Sequence, residues 1–491
     1  MPCVIGIDVG SQSVKSVLVD DEGRALAVAS APCAMSHPAG GWAEQDPEHW
    51  ERALAQTVRE VREQAGVGRE DVAMLGLACQ VDGLVAMDDR LRPLRPGIIW
   101  LDRRATRQSD ALAAAAGEAA LIERTGLNPD ASHTAPKAMW LRDEEPEHYR
   151  RARWLAPVGG HLNGWLTGEV CQDHANASST LLYDLRARAF SDALVGHAGL
   201  DPDRLPTIRA ATDVIGPLRP EAAAALGLSP RCRVVVGTGD EHAAAVGAGA
   251  LAPGVVVDVT GTAEPVAVPS SDVVLDDERL VETHAHAVDR MLLVENPGFV
   301  SGGSTQWWAA TQGIPQGDIF ALAAQAPAGS DGVLFLPTLS GSFAPRWNED
   351  MRGCFAGLAL NHTPAHLARA VLEGCAYALR DILDRFAAME IGGEEIRVVG
   401  GGARSALWLQ IKADITGQPV RPVLGDCATS MGGAMLAGVG AGVFADLAQA
   451  AERAVELAAE PVLPREETAA VYEDTYRAYR RLFDGIEGAL S

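Results

Sequence analysis

Three aspartates, Asp8, Asp240 and Asp258, stand where apolar runs give way to glycines and hydroxyl residues. The first lies in Asp8-Val9-Gly10-Ser11-Gln12-Ser13, followed by Lys15. A tight turn after a strand presents successive backbone N–H groups that can cradle phosphate oxygens, and a carboxylate at the strand end can orient the waters of Mg²⁺. The other reading of these residues is an ordinary hairpin turn with a capping aspartate. It is not a Walker A loop, because GxxxxGK[ST] is absent. Asp258-Val259-Thr260-Gly261-Thr262 offers a second turn of the same kind. Two such turns suggest a nucleotide held across a cleft between domains.

Asp240 closes Gly237-Thr238-Gly239-Asp240-Glu241-His242, between a β-rich run and an Ala-rich segment. A carboxylate there is placed to take a proton from a bound hydroxyl, and a helix N-cap is the alternative. Gln80-Val81-Asp82-Gly83 ends another β-rich run with polar groups that could hold hydroxyls or could simply decorate a loop. Gly400-Gly401-Gly402-Ala403-Arg404-Ser405 falls between a strand and a helix, where glycines would let a flat group such as adenosine approach the backbone, or would serve a turn with positive φ. His284 and His286 share a face of an extended segment, without a third metal ligand in view. The Trp307-Trp308 pair reads as packing ahead of sugar stacking.

The elements that must position these groups follow an α/β pattern. Strands are expected at residues 3–8, 13–19, 24–29 and 72–79, with hairpin chemistry at Asp20-Asp21-Glu22-Gly23. Asp46-Pro47 reads as an N-cap followed by proline in the first helical turn, and a second helix is expected over 111–122. Near residue 250 the pattern restarts: Val255–Thr262 echoes Val4–Ser11, an apolar strand ending in Asp and a Gly-plus-hydroxyl turn. This suggests two similar halves joined by a flexible crossing at 247–254. Helices at 364–389, 408–416 and 431–443, with strands at 396–399 and 419–423, complete the second half.

The chain has 491 residues, enough for two or three domains with full cores. With 47% hydrophobic and 22% charged residues it is neither disordered nor fibrous. The net charge of −24 argues against nucleic acid and anionic membranes as partners. Only three of the 41 basic residues are lysines, Lys15, Lys137 and Lys412, so each merits inspection. Eight scattered cysteines without a CxxC pair read as reduced, buried thiols. No segment resembles a leader, and the longest apolar stretch, 243–257, is broken by glycine and proline and short of the about 20 residues a span needs. A cytoplasmic enzyme or binding protein is expected.

Taken together, the motifs resemble the FGGY family of carbohydrate kinases along nearly the whole chain. Gly353-Cys354-Phe355-Ala356-Gly357-Leu358, His366-Leu367 and Ala370-Val371-Leu372-Glu373 match its C-terminal signature. Its N-terminal signature appears as Ser132-x-Thr134-x-x-Lys137-Ala138-x-Trp140-Leu141-x-Asp143-Glu144, departing only at Ala138. Gly41–Pro47 and Trp100-Leu101-Asp102-Arg103-Arg104 also look like family segments. Within the family the pattern is most similar to the xylulokinases. Three positions depart: Val81-Asp82 where those usually carry Met-His, Glu241 where they carry Asn, and Gly341-Ser342-Phe343-Ala344-Pro345 in place of Gly-Glu-Arg-x-Pro. Glycerol kinases place Arg-Glu at the Val81-Asp82 position.

The resemblance implies two ribonuclease-H-like α/β domains of the actin and sugar-kinase superfamily, 1–248 and 249–491, closing around ATP, Mg²⁺ and a sugar or polyol. By position it implies Asp240 as general base and Asp8 as the Mg²⁺-organising carboxylate. Gly10, Ser11, Gln12, Ser13 and Lys15 would form one phosphate loop, and Thr260, Gly261 and Thr262 the other. Gly401, Gly402 and Ala403 would form the adenosine site, and Gln80, Val81, Asp82, Trp100, Asp102, Asp240 and Glu241 the sugar site. Dimers are common in such families, so a homodimer is the assembly it would allow. A chaperone- or actin-like ATPase and a silent sugar-binding protein are the competing classes. Sugar-dependent ADP release would exclude the first, and a single-turnover assay would settle the second.

Overall fold

The computed structural model describes residues 2–342 and 344–490, so Phe343 of the departing 341–345 segment lies outside the described residues. Two mixed sheets of one plan organise the chain. In the first, Cys3–Val9 pairs antiparallel with Ser13–Val19, which pairs antiparallel with Ala25–Pro32. On its other side Cys3–Val9 runs parallel to Val72–Cys79, and that strand runs parallel to Arg233–Val235. In the second, Gly254–Thr260 pairs antiparallel with Ala263–Ser270, which pairs antiparallel with Leu292–Val300. On its other side Gly254–Thr260 runs parallel to Gly393–Gly400, and that strand to Val420–Pro422. The echo seen in the sequence is therefore a repeated topology, in which Asp8 and Asp258 lie on corresponding strands.

The near-continuous apolar residues of Cys3–Val9 and Val72–Cys79 are buried, as central strands covered on both faces require. The helix Pro47–Gln64 begins as expected, with the Asp46 side chain accepting from Glu48 N–H and proline in its first turn. The expected helix at 111–122 is instead two, Thr106–Ala116 and Glu118–Thr125. Gly117 parts them with φ +78°, a conformation no helix interior contains.

The crossing at 247–254 is also corrected. The helix Asp240–Gly247 ends there in backbone hydrogen bonds from Ala248, Gly249 and Ala250 back into its last turns, and Arg397 Nη1 donates to the Ala248 carbonyl (2.7 Å). It is a packed helix terminus, not a loose link. Beside it runs the helix Ala428–Gly440, which starts earlier than the 431 expected. That helix returns from the second half to pack on Cys3–Val9 and Val72–Cys79. A Cβ on Gly6 would collide with the Ser430 carbonyl and Ala434, so only glycine permits this approach. Met431, Ala434, Met435 and Ala437 share one core with Val4, Val17 and Met74. The floor of the cleft is thus built from both halves of the chain.

Candidate active site

The first turn is held by its own backbone and by a buried amide. Gly10 N–H donates to the Ser13 carbonyl (3.1 Å), Cys33 N–H to the Gln12 carbonyl (2.8 Å), and Gln45 Nε2 to the Ser11 carbonyl (2.7 Å). The carbonyls of Ser11, Gln12 and Ser13 are thereby all engaged within the protein. Gln45 Oε1 in turn accepts from Trp50 Nε1 (3.2 Å) and Gln80 Nε2 (2.9 Å). Gln45 thereby links the loop after Val72–Cys79 to the phosphate-type turn, a role that only the contact between distant segments reveals.

The second turn is built similarly. Gly302 N–H donates to the Gly261 carbonyl (3.0 Å) and Gly303 N–H to the Thr262 carbonyl (3.0 Å). Gly261 N–H is already taken by the Val259 and Ala263 carbonyls, which leaves exposed Thr262 as the group the turn offers outward. Thr260, expected among the phosphate ligands, is buried. Its hydroxyl donates to Asp258 Oδ1 (3.1 Å) and accepts from Lys412 Nζ (2.7 Å), so its side chain anchors the turn from behind.

Behind the second turn lies a buried ionic group. Lys412 Nζ sits 2.5 Å from Asp258 Oδ2 and 3.0 Å from Glu264 Oε1, all three side chains being 1% exposed or less. Ser301 Oγ donates to Glu264. Burial, then Asp258, pushes the Glu264 carboxyl up to about 8 against the pull of Lys412. The rarity of lysine is the sequence signal that singles out Lys412 here. Lys137 and Lys412 both prove fully buried, and Lys15 stands beside the first turn, its Nζ donating to the Asp426 carbonyl (2.7 Å).

An open cavity of about 660 Å³ adjoins the second turn, lined by Thr262, Gln316, Phe320, Gly401, Arg404 and Trp408 among others. Gly401 and Gly402, two of the three residues named for an adenosine site, border it. Ala403 does not: it packs against the second core. A Cβ on Gly402 would strike the Thr260 side chain, so this glycine is required by the phosphate-type turn beneath it.

Asp240 opens the helix Asp240–Gly247 directly after the short strand Thr238–Gly239, which pairs with the end of Val72–Cys79. Its Oδ1 accepts from Glu241 N–H (3.1 Å). Burial, then the Asp82 charge, raises its carboxyl to about 6 against that hydrogen bond. Asp8 is raised to about 7 by burial and the Asp240 charge, with Lys15 opposing. Val81 lies over Gly239, where a Cβ would meet its Cγ1, so the 80–82 loop stands against the Asp240 segment. Asp8, Asp82 and Asp240 thus converge on one cleft.

The sugar-site expectations divide. Asp82 adopts φ +60° and faces the cleft edge with His133 Nδ1 3.2 Å from its Oδ1, while Lys137 Nζ donates to its carbonyl (2.6 Å). Burial works against charge on His133, but Asp82, Glu282 and Asp130 outweigh it and raise the imidazole to about 9. Burial lowers Lys137 to about 8. Glu241 meets Glu295 carboxyl to carboxyl: burial, then the Glu295 charge, raises Glu241 well above the usual range. Burial with the charges of Glu282, Asp82 and Asp240 raises Glu295 to about 8 against its hydrogen bond with Glu241, so the pair holds a proton at neutral pH. Trp100 is 38% exposed. Asp102 is corrected: it is wholly buried, and its oxygens accept from Ala43 N–H (2.6 Å), Arg104 N–H (2.9 Å) and the Arg104 guanidinium. It braces Trp100–Arg104 and has no oxygen left for a ligand.

His284 and His286 do share a face, packed edge-on against His242 at 5.7 and 6.4 Å between ring centroids. Among the described residues no group of three His, Cys, Asp or Glu could hold a metal ion. Trp308 is buried, while Trp307 stacks on Phe335.

Residues 3–247 match the N-terminal domain, and residues 259–441 the C-terminal domain, of the FGGY family of carbohydrate kinases. The chain belongs to this family. It is similar to the xylulose kinase of Escherichia coli (strain K12), 32% identical over 485 residues that cover 98% of this chain and 99% of that protein. It is 33% identical over 501 residues to the glycerol kinase of Citrifermentans bemidjiense, covering 98% of each. The crystal structure of xylulose kinase from Rhodospirillum rubrum superposes with a TM-score of 0.90 at 28% identity, covering 99% of both chains. The chain is therefore a carbohydrate kinase with the two-domain FGGY fold. Among the described residues no helix is long and apolar enough to cross a membrane.

Proposed function

We propose that this FGGY kinase transfers the γ-phosphoryl group of ATP to a hydroxyl of a neutral ketose or sugar alcohol, with D-xylulose to D-xylulose 5-phosphate as the leading reaction. The observation that carries the reading is the placement of Asp240: a carboxylate raised to about 6 that opens a helix in the cleft and shares it with Asp8 and Asp82. A base of that strength is largely ionised at neutral pH yet still accepts a proton from a hydroxyl as the oxygen attacks phosphorus in line. Backbone N–H groups of the first turn, with Lys15 and Thr262, would spread the charge developing on the phosphoryl oxygens.

The Asp8 site suits Mg²⁺. It offers a hard oxygen donor beside a second carboxylate whose repulsion a dication would relieve. Mg²⁺ bound there would neutralise phosphate charge. Adenosine would occupy the cavity beside Gly401, Phe320 and Trp408. With a net charge of −24 the chain repels ATP at long range, so these local groups must dominate.

Another ketose or a polyol is the second reading, favoured by Asp82 and Glu241 at the cleft and by the similarity to a glycerol kinase. A coupled assay of ADP release across pentuloses, hexuloses, polyols and glycerol decides between them. D-xylulose is expected to give the highest kcat/KM; a polyol in first place would transfer the assignment, and no sugar-dependent release at all would refute the kinase reading.

A further inference from the structure

Both ring nitrogens of His133 face carbonyl oxygens: Nδ1 lies 2.9 Å from the Ser179 carbonyl and Nε2 lies 3.1 Å from the Asn128 carbonyl. A carbonyl can only accept, so each nitrogen must carry a proton. A neutral tautomer would leave one lone pair against a carbonyl in a side chain that is only 3% exposed. The ring is an imidazolium by hydrogen-bond geometry alone. Its Nδ1–H is shared with Asp82 Oδ1 at 3.2 Å. Asp82 is restrained further along its backbone, where Lys137 Nζ holds its carbonyl and the chain takes φ +60°, a region that aspartate tolerates better than most residues. One Asp82 oxygen is thus engaged by a cation, and the carboxylate is restrained from both its side chain and its backbone.

A carboxylate so held accepts hydrogen bonds and donates none. It stands in a cleft that also contains Asp240, Glu241 and, from the second half of the chain, Glu282 and Glu295. We infer that His133 is a positioning residue that holds Asp82 as an acceptor-only group, and that this pair restricts the substrate to neutral molecules presenting hydroxyl donors at Asp82 while excluding sugar acids. The inference rests on the kinase reading above and narrows its substrate class. A sugar carboxylate directed at Asp82 would meet like charge on the oxygen it approaches, whereas a hydroxyl makes a charge-assisted hydrogen bond.

The test compares wild type, His133→Gln and Asp82→Asn on D-xylulose, glycerol and D-gluconate. Glutamine cannot donate to both carbonyls and carries no charge; asparagine keeps the size of Asp82 and tolerates its backbone conformation. Each variant is expected to raise KM for the better neutral substrate about tenfold or more, with kcat within about threefold and KM for ATP unchanged. Asp82→Asn is also expected to narrow the wild-type preference for that substrate over D-gluconate by about tenfold. Unchanged sugar KM in Asp82→Asn, or wild type using D-gluconate as well as the neutral sugars, overturns the inference. Should His133→Gln fail to fold, judged by circular dichroism, Asp82→Asn decides alone. Calorimetric binding of the same three probes to wild type separates this inference from the kinase reading. Tighter binding of D-gluconate contradicts the inference whatever the turnover, and absent ADP release with every sugar contradicts only the kinase reading.

Discussion

Lys412 Nζ lies 2.5 Å from Asp258 Oδ2, joining the helix Ala406–Thr416 beside the cavity of about 660 Å³ to the strand Gly254–Thr260 that ends in the second turn. The same ammonium reaches Thr260 Oγ1 and Glu264, so one cation ties the wall of the cavity to the group that would meet phosphate. Removing one member of a buried pair leaves an uncompensated charge, at a cost of about 3–5 kcal/mol. Lys412→Met is expected to lose stability of that order in denaturant titration. At temperatures where it remains folded, it should raise KM for ATP more than KM for sugar. Equal changes in both would make the group a purely structural support.

Gly402→Ala probes the same turn from the other side. Its Cβ would press on Thr260, and overpacking of this kind costs about 1–3 kcal/mol. KM for ATP is expected to rise by about tenfold, since 1.4 kcal/mol is one decade, while KM for sugar stays within about twofold. Steady-state kinetics with each substrate varied in turn measures this, and an unaltered KM for ATP would mean that Thr260 moves without consequence for the turn.

The pH dependence follows from Asp240. As a base it acts only when ionised, and its carboxyl is raised to about 6 by burial and by Asp82. Activity should therefore be present above pH 6 and lost as the pH falls through it, about tenfold per unit on the acid limb. The profile of kcat/KM for sugar should be taken at saturating Mg²⁺, where a dication at the proposed site would keep Asp8 ionised. A profile flat down to pH 5 would contradict the raised carboxyl.

Much of this site is legible in the chain because its turns are local. Asp8–Ser13, Thr260–Thr262 and Gly400–Ser405 each follow a short apolar strand, and strand, turn and capping chemistry act over a few residues. The helix start at Asp46-Pro47 is legible for the same reason. What the residues do not disclose is which side chains meet across the fold. Lys412 and Asp258 are separated by 154 positions, and Gln45 reaches Ser11 over 34. Neither contact leaves a periodic trace. Asp102 shows the converse: it stands in a family-like segment, yet Arg104 and Ala43 N–H consume its oxygens. Gly117 breaks a helix whose alanine-rich pattern runs through it, because one residue at φ +78° outweighs the propensity on either side.

The central claim is that Asp240 receives the hydroxyl proton during phosphoryl transfer, and Asp240→Asn tests it most directly, because asparagine keeps the shape and removes the base. Sugar-dependent ADP release should be measured in wild type and variant at pH 7.5 with the best sugar of the screen, alongside ATP binding by calorimetry. The account predicts a kcat lowered by about 10²–10⁴ with ATP affinity nearly unchanged. A variant that keeps more than about a tenth of the wild-type kcat would contradict it.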